Sequence, residues 1–198
     1  MGNTVSCCSL SINDITRPPK PTSIKKIEST SLKDKCSLED FESLLFLAEG
    51  GFGRIFLAKK KAGGKYYVLK RVKKNHIANV TDLEQIFTEK KVMLQANHPF
   101  IVKLYYSFTT EKYFYYVMEW IQCGSLSDLI EKEEKLKEEA ASFYAAQIVL
   151  ALKYLHEDLR VIYRDLKPDN VLIDRSGNIK LTDFGLAKSN LTSKRRRH

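Results

Sequence analysis

Residues 161–174, VIYRDLKPDNVLID, place polar side chains at fixed positions between two apolar runs. A loop that only joins two strands needs turn-forming residues such as Asn-Gly. Residues 164–170 instead hold two acids, two bases and an amide. The stretch therefore predicts a functional site on a loop between short strands.

Two oxygen ligands for a metal ion are predicted in and after this loop. Asn170 follows Asp165 by five residues, and Asp183, in the segment LTDFG, follows Asp165 by eighteen. An amide and a carboxylate, here Asn170 and Asp183, suit Mg²⁺, which keeps water and phosphate oxygens as its other ligands. The carboxylate of Asp165 can accept a hydroxyl proton while Lys167 offsets phosphate charge. The pattern indicates metal-dependent phosphate chemistry.

A glycine-bearing turn, AEGGFGRI at residues 48–55, separates the first two predicted strands. Gly50 and Gly53 allow the backbone to approach a ligand closely and leave N–H groups free for phosphate. A plain hairpin turn is the alternative, because such patterns also occur without a ligand.

A buried ion pair is predicted between Lys70 and Glu89. Lys70 lies among apolar residues in YYVLKRV, where burial of an ammonium group is expensive without an opposite charge. Glu89 falls on the inward stripe of the next predicted helix. The alternative is that the two are independent surface residues.

Short apolar runs broken by glycine or lysine predict strands, and two amphipathic patterns predict helices. Thr81 is predicted to cap the first helix, with Glu84 completing a capping box. The second helix is predicted at residues 137–156. This order of sheet, inserted helix, helix and short strands is α+β. The predicted strands are residues 41–49, 54–60, 65–72, 102–108 and 113–120, with KAGG as the turn between the second and third.

The composition predicts a folded core and anionic partners. The 198-residue chain is 43% hydrophobic and carries 33 basic against 24 acidic residues, a formal net charge of +9. Its four cysteines, Cys7, Cys8, Cys36 and Cys123, show neither metal-ligand spacing nor the density of a disulfide scaffold, which predicts an intracellular compartment. No apolar run approaches the roughly 18 residues of a membrane-spanning helix.

The glycine-bearing turn, Lys70, Glu89, RDLKPDN and DFG occur in an order and at separations that resemble the protein kinase family. The resemblance covers residues 41–188. It implies an α+β fold of the protein-kinase type, with a five-stranded antiparallel sheet and one helix in a complete N-lobe, and the first part of a mainly helical C-lobe. RDLKPDN resembles serine/threonine kinases, and Tyr163 with HPFIVKLYYSF is similar to the AGC group. LTDFGLAK is similar to its greatwall and microtubule-associated branch.

The resemblance implies an ATP-dependent kinase that uses Mg²⁺ and phosphorylates Ser/Thr hydroxyls of protein substrates. Asp165 is then the catalytic base, Lys167 the γ-phosphate partner, and Asn170 and Asp183 the metal ligands. Lys70 with Glu89 orients the α- and β-phosphates. Met118 would guard the pocket, with the backbone of Glu119 and Ile121 facing adenine. The implied nucleotide-binding positions are Leu47, Ala48, Glu49, Gly50, Gly51, Phe52, Gly53, Arg54, Ile55, Val68, Lys70, Met118, Glu119, Ile121, Asn170 and Asp183.

Three positions depart from the family's pattern. Ala48 replaces the first loop glycine and Val68 replaces the alanine two residues before the lysine, which predicts a stiffer loop and a more crowded adenine roof. Ser125 stands where many members carry an acid for the ribose, and Asp128 is a candidate substitute.

The N-terminal arm carries an acylation pattern. MGNTVSCC fits myristoylation, with Gly2 exposed after removal of Met1. Because one acyl chain binds membranes only marginally, Cys7 and Cys8 are predicted palmitoylation sites, and basic residues of the arm attract anionic lipid. The alternative is an ordinary cytosolic start with two free thiols. We expect a disordered arm at residues 1–37 and a cytoplasmic protein held at a membrane.

The remaining chain is predicted as an N-lobe at 38–119, a partial C-lobe at 120–190 and a basic tail at 191–198. Because the sequence ends before an A-P-E element, we expect a fragment or truncated product with partly uncovered apolar faces. KRRR is compatible with a nuclear signal or a solvated tail. A non-catalytic, membrane-tethered module that binds ATP or a partner is the alternative to a kinase. Nucleic-acid binding is not expected, because a recognition motif is lacking.

Overall fold

The computed structural model describes residues 36–50, 53–77 and 79–189. Within these residues, nine strands and three α-helices follow one another along the chain. In chain order they are β1 (Phe41–Gly50), β2 (Gly53–Lys60), β3 (Tyr66–Lys73), α1 (Val80–Gln95), β4 (Leu104–Thr109), β5 (Tyr113–Glu119), α2 (Leu126–Glu133), α3 (Glu138–Glu157), β6 (Val161–Ile162), β7 (Val171–Ile173), β8 (Ile179–Leu181) and β9 (Lys188–Ser189).

The first five strands form one antiparallel sheet in the order β1-β2-β3-β5-β4. This confirms the predicted α+β class and the predicted five-stranded sheet. The KAGG turn closes the β2–β3 hairpin, where the Lys60 N–H donates to the Lys65 carbonyl at 2.8 Å. Gly63 and Gly64 in this turn adopt φ values of 83° and 64°, which glycine reaches without steric cost.

Helix α1 begins earlier than the sequence predicts. Its N-cap is Asn79, whose side-chain oxygen accepts the Asp82 N–H at 2.9 Å. The prediction that Thr81 caps the helix is therefore wrong, because Thr81 already lies inside the first turn. Asn and Thr are both good N-caps, and the capping-box spacing TDLE favoured the wrong one of two candidates two residues apart.

Helix α3 confirms the helix predicted at residues 137–156, shifted by one residue. Helix α2 was not predicted, because it is only eight residues long and its acidic and basic positions were read as surface. The intervening charged run at residues 131–139 is mostly exposed, as expected for a solvated surface.

Two apolar clusters lie on opposite sides of the sheet. The larger joins α1, the inner face of the sheet, α3 and the short strands β6 to β8, with Val92, Leu155 and Phe184 among its fully buried members. The smaller covers the outer face of the sheet and includes Leu69 and Val117. The larger cluster includes Val72 of β3 together with Val161 and Tyr163 at the start of the polar stretch, so one core joins the two.

Some apolar side chains remain in solvent. Val149 and Leu150 on α3 are 62% and 51% exposed, and Leu166 in the polar loop is 50% exposed. Among the described residues, no helix has the length and apolar character needed to cross a bilayer.

Candidate functional site

The polar loop is held in shape by Asn170. The loop ends in a short 3-10 turn, Pro168–Asn170, that leads into β7. The Asn170 amide nitrogen donates to the Asp165 carbonyl at 2.9 Å and to Asp165 Oδ2 at 2.8 Å. Because Asn170 is only 6% exposed, these bonds fix the direction of the Asp165 carboxylate. The amide uses its nitrogen here, so Oδ1 is the atom suited to a cation.

Lys167 points at the same carboxylate. Its ammonium lies 3.0 Å from Asp165 Oδ2 and 3.3 Å from Oδ1. The hydrogen bond to Asp165 raises the pKa of Lys167. The loop therefore presents an acid and a permanent cation side by side, as the sequence predicts.

Asp183 is tied to the polar loop through the backbone of its neighbour Thr182. The Thr182 N–H donates to the Asn170 carbonyl at 3.0 Å, and the Tyr163 hydroxyl donates to the Thr182 carbonyl. Asp183 itself adopts φ 55°, in the left-handed region that non-glycine residues rarely occupy. Such conformations cost free energy and persist where surrounding contacts impose them, often at functional sites.

Lys70 joins the sheet to this loop. Its ammonium lies 2.6 Å from Glu89 Oε1 and 3.5 Å from Asp183 Oδ1. Both partners in the ion pair are buried, with side-chain exposures of 10% for Lys70 and 4% for Glu89. Burial opposes the charge on Lys70, but the two carboxylates outweigh it and raise its pKa. The predicted ion pair is confirmed, and the alternative of two independent surface residues is excluded.

The strands set these positions through register. Lys70 lies opposite Ile55 on β2 and Tyr116 on β5, so it occupies the middle of the sheet. Glu89 lies on the face of α1 that packs against the sheet, and the Tyr116 hydroxyl donates to the carbonyl of Ile86 one turn earlier at 3.0 Å. The predicted catalytic and metal positions thus lie along one cleft between the sheet and the polar loop.

The residues predicted to surround adenine lie on β1, β3 and β5 and in the segment after β5. Val68 pairs with Met118 across β3 and β5, and Met118 is 6% exposed. Val68 and Ile121 are half-buried against the larger cluster. Leu47 on β1 is 45% exposed. These side chains offer an apolar surface beside the charged positions.

Gly53 in the glycine-bearing turn is required for a steric reason, which differs from the close approach to phosphate expected from the sequence. A Cβ built on Gly53 would lie 2.3 Å from the carbonyl oxygen of Arg71 on β3. Gly53 is therefore required for the close approach of two strands, whether or not phosphate binds. Glu49 and Arg54 form an exposed ion pair at 3.0 Å. The predicted positions Gly51 and Phe52 lie outside the described residues.

Ser125 and Asp128 cap helix α2. Asp128 Oδ2 accepts the Ser125 N–H at 2.7 Å and the Ser125 hydroxyl at 2.8 Å, and Ser125 Oγ accepts the Asp128 N–H at 3.1 Å. The carboxylate suggested for the ribose is thus engaged in a capping box. The sequence contains this signal as SLSD, which was not recognised.

Sequence reasoning missed two residues, Lys180 and Leu172, on the face of the β7–β8 hairpin that is directed toward Glu119. Lys180 on β8 lies 3.1 Å from Glu119 at the end of β5, and it pairs across strands with Leu172 on β7. Cross-strand partners share a face of the sheet, so Leu172 lies on the face directed toward Glu119. The available signal was the alternation in VLI and IKL, because buried residues flank both Leu172 and Lys180.

Two oxygen donors of the site, from Asn170 and Asp183, could serve as ligands of a metal ion. Among the described residues, no group of three or more His, Cys, Asp or Glu side chains is placed to hold a metal ion. Asn170 and Asp183 alone supply two oxygens, which matches Mg²⁺ bound mainly by phosphate and water.

The sequence matches one family model and several curated proteins. A family model described as the protein kinase domain matches residues 41–197. The sequence is 44% identical over 160 residues to the probable serine/threonine protein kinase IRE4 of Arabidopsis thaliana, covering 81% of this chain and 15% of that protein. It is 41% identical over 154 residues to cAMP-dependent protein kinase type 3 of Saccharomyces cerevisiae, covering 78% of this chain and 38% of that protein.

A third relative is the RAC family serine/threonine-protein kinase homolog of Dictyostelium discoideum, 40% identical over 158 residues, covering 80% of this chain and 35% of that protein. This chain therefore spans between about one seventh and two fifths of these three curated relatives.

Proposed function

This chain belongs to the protein kinase family, and on that premise we propose that it provides the nucleotide- and metal-binding part of a serine/threonine kinase. The activity is transfer of the γ-phosphate of ATP to Ser or Thr hydroxyls of protein substrates. The observation that carries the proposal is the contact of one ammonium, that of Lys70, with both Glu89 and Asp183.

Each polar side chain has a role that its contacts support. Lys70, held by Glu89, presents a positive charge toward the α- and β-phosphates. Asn170 and Asp183 offer oxygens to Mg²⁺, which neutralises phosphate charge when bound. Asp165, oriented by Asn170, accepts the proton of the substrate hydroxyl. During the reaction, the Lys167 ammonium leaves Asp165 and contacts the γ-phosphate, where negative charge develops.

Phosphate transfer to a generic Ser/Thr peptide tests this function. We expect measurable transfer by the 198-residue chain, and a loss of about 10²–10⁴-fold in Asp165→Asn, because the proton acceptor is removed. Lys135→Gln, an exposed change outside the cleft, is the matched control and should keep the activity. Thermal melting with ATP, with and without Mg²⁺, measures binding separately.

The two measurements separate the proposed kinase from a binding module. Mg²⁺-dependent stabilisation by ATP without peptide phosphorylation would indicate a non-catalytic nucleotide-binding protein. Absence of that stabilisation in the folded chain would refute both functions.

We also propose that the protein is held at the cytoplasmic face of a membrane by acylation of Gly2, with Cys7 and Cys8 as palmitoylation sites. The support is the sequence pattern MGNTVSCC, since one acyl chain needs a second signal for stable anchoring. Gly2→Ala should move the protein from the membrane to the soluble fraction of cells. Unchanged membrane partition of that variant would refute the proposal.

A further inference from the structure

The outer face of the sheet, opposite α1, carries cations that stand over aromatic rings. The Lys60 ammonium lies 3.0 Å from the Tyr106 hydroxyl and 4.2 Å from that ring's centroid. The Lys65 ammonium lies 3.4 Å from the Tyr105 hydroxyl and 4.6 Å from its ring centroid. Lys103 stands over the same Tyr105 ring at 5.5 Å. These residues are called here the lysine–tyrosine face.

The positive charge extends along β3. Arg71 lies 4.8 Å from the Phe56 ring centroid and 4.7 Å from that of Tyr113, on the same side of the sheet as the lysines. The face therefore spans several strands and is broad rather than a single groove. Aromatic rings hold each cation through cation–π attraction, which leaves its charge available to a partner.

None of these four cations forms an ion pair with a described carboxylate, although Asp40 attracts Lys60 and Glu119 attracts Lys65 electrostatically. Within residues 36–50, 53–77 and 79–189, the ion pairs use other lysines and arginines, and none includes Lys60, Lys65, Arg71 or Lys103. The nearby carboxylate of Glu119 is taken by Lys180. The nearby carboxylate of Asp40 accepts the Ser37 N–H at 2.7 Å but keeps its negative charge, so it offsets one of the four cations. The face keeps a net positive charge.

The two ends of the chain cannot supply the missing negative charge. Residues 1–35 contain six lysines and arginines against three acids, and residues 190–198 contain four basic residues and no acid. Either segment would add repulsion to the lysine–tyrosine face. The charge of the face therefore favours an anionic occupant over either of these two segments.

From these observations, we propose that the lysine–tyrosine face, with the adjoining β2–β3 hairpin, docks on the surface of an anionic phospholipid bilayer. Lysine supplies attraction to anionic headgroups, and tyrosine rings with their hydroxyls suit the polar–apolar boundary of a bilayer. At the hairpin tip, Gly63 has no other atom within 4 Å of its Cβ direction, so the tip is sterically open.

The position of the chain's entry into the fold supports a membrane over other polyanions. Phe41, the first residue of β1, lies opposite Lys60, and the Lys61 N–H donates to the Asp40 carbonyl at 2.8 Å. The arm that carries the acylation pattern therefore joins the fold beside this face. This last argument rests on the proposed acylation, whereas the charge and ring contacts do not.

Vesicle binding by the full chain, without acylation, tests the docking surface. We compare phosphatidylcholine vesicles with and without phosphatidylserine. Each lysine near an anionic surface contributes about fivefold to partition, so Lys65→Gln/Lys103→Gln should bind about 25-fold more weakly to the anionic vesicles. Lys132→Gln/Lys135→Gln removes the same charge from exposed positions in and after α2 and is the matched control. Melting temperatures verify that both variants fold.

A lysine footprint gives the second readout. Reductive methylation in the presence of anionic vesicles should protect Lys60, Lys65 and Lys103 but not Lys132 and Lys135. Equal loss of binding in both double variants, or equal binding to neutral vesicles, overturns the proposal. Binding to polyuridylate as tight as to the anionic vesicles, through the same lysines, also overturns it, because the face is then a general polyanion site. None of these measurements depends on phosphoryl transfer.

Discussion

The ammonium of Lys180 in β8 lies 3.1 Å from Oε2 of Glu119, the last residue of β5. The same oxygen accepts the Lys103 N–H at 3.3 Å, just before β4. One carboxylate therefore holds together the end of the main sheet and the short strand that leads to Asp183. Both side chains are less than one-third exposed, so solvent screens this ion pair less than a surface pair.

Removal of this ion pair should show energetic coupling between its partners. In a double-mutant cycle of Lys180→Met and Glu119→Gln, we expect a coupling of about 1 kcal/mol in the free energy of unfolding. Urea denaturation of the four proteins measures it. Lys153→Met with Glu157→Gln, an exposed pair on α3, is the control cycle and should couple more weakly. Equal coupling in the two cycles would contradict this role for Glu119.

The buried ion pair should respond asymmetrically to loss of its partners. Lys70→Met leaves the buried Glu89 carboxylate without a cation, at a cost of about 3–5 kcal/mol in the free energy of unfolding. Glu89→Gln leaves Lys70 beside Asp183 and keeps an oxygen acceptor, so about 1–2 kcal/mol is expected. Urea denaturation measures both variants. A larger cost for Glu89→Gln would show that Asp183 does not compensate.

Gly53→Ala should destabilise the sheet more than a glycine change in the other hairpin. The new methyl group would lie 2.3 Å from the Arg71 carbonyl oxygen, which belongs to the backbone and cannot rotate away. We expect a cost of about 3 kcal/mol from this overlap. Gly63→Ala, with φ 83° but open space around it, should cost about 1 kcal/mol. Similar melting temperatures for the two variants would disprove the steric explanation.

The helix cap of α1 can be checked with two alanine substitutions. Asn79→Ala removes the oxygen that accepts the Asp82 N–H and should cost about 1 kcal/mol in the free energy of unfolding. Thr81→Ala changes an exposed residue inside the helix and should stay within about 0.5 kcal/mol of the parent. The reverse order of the two costs would restore Thr81 as the cap.

Stability should fall in mild acid because of His98. Its Nδ1 accepts the Phe100 N–H at 3.2 Å, and its ring stacks on Tyr154 with centroids 4.9 Å apart. Burial lowers the pKa of His98 below its ordinary value of 6.5. A lowered pKa means that folding favours the neutral ring, so this contribution is complete above pH 6.5 and is lost progressively below it.

Comparison with His98→Gln isolates this effect, because glutamine can accept a hydrogen bond but does not titrate. The difference in unfolding free energy between the parent and the variant should change below pH 6.5 and stay constant above it. A difference that is independent of pH would exclude His98 as the cause.

The sheet, the second long helix and the Lys70–Glu89 ion pair could be predicted because each has a local signal. Strand runs alternate or end at glycine, and a buried lysine requires a buried acid. The cap of α1 could not be decided, since Asn79 and Thr81 are both acceptable and only tertiary packing selects between them. The contact of Lys180 with Glu119 joins residues 61 positions apart, and no local pattern specifies such a pair. The left-handed conformation of Asp183 has no local sequence signal either.

Two tyrosine hydroxyls hold α1 from different sides. Tyr116 of the sheet donates to the Ile86 carbonyl, while Tyr154 of α3 donates to the Gln95 carbonyl and accepts the Asn97 N–H. Glu89 lies between these two attachment points. Helix α1 is therefore attached to the sheet at one point and to α3 at another. Movement of the sheet relative to α3 would therefore change the distance between Glu89 and Lys70. That distance reports how the sheet and α3 are packed together.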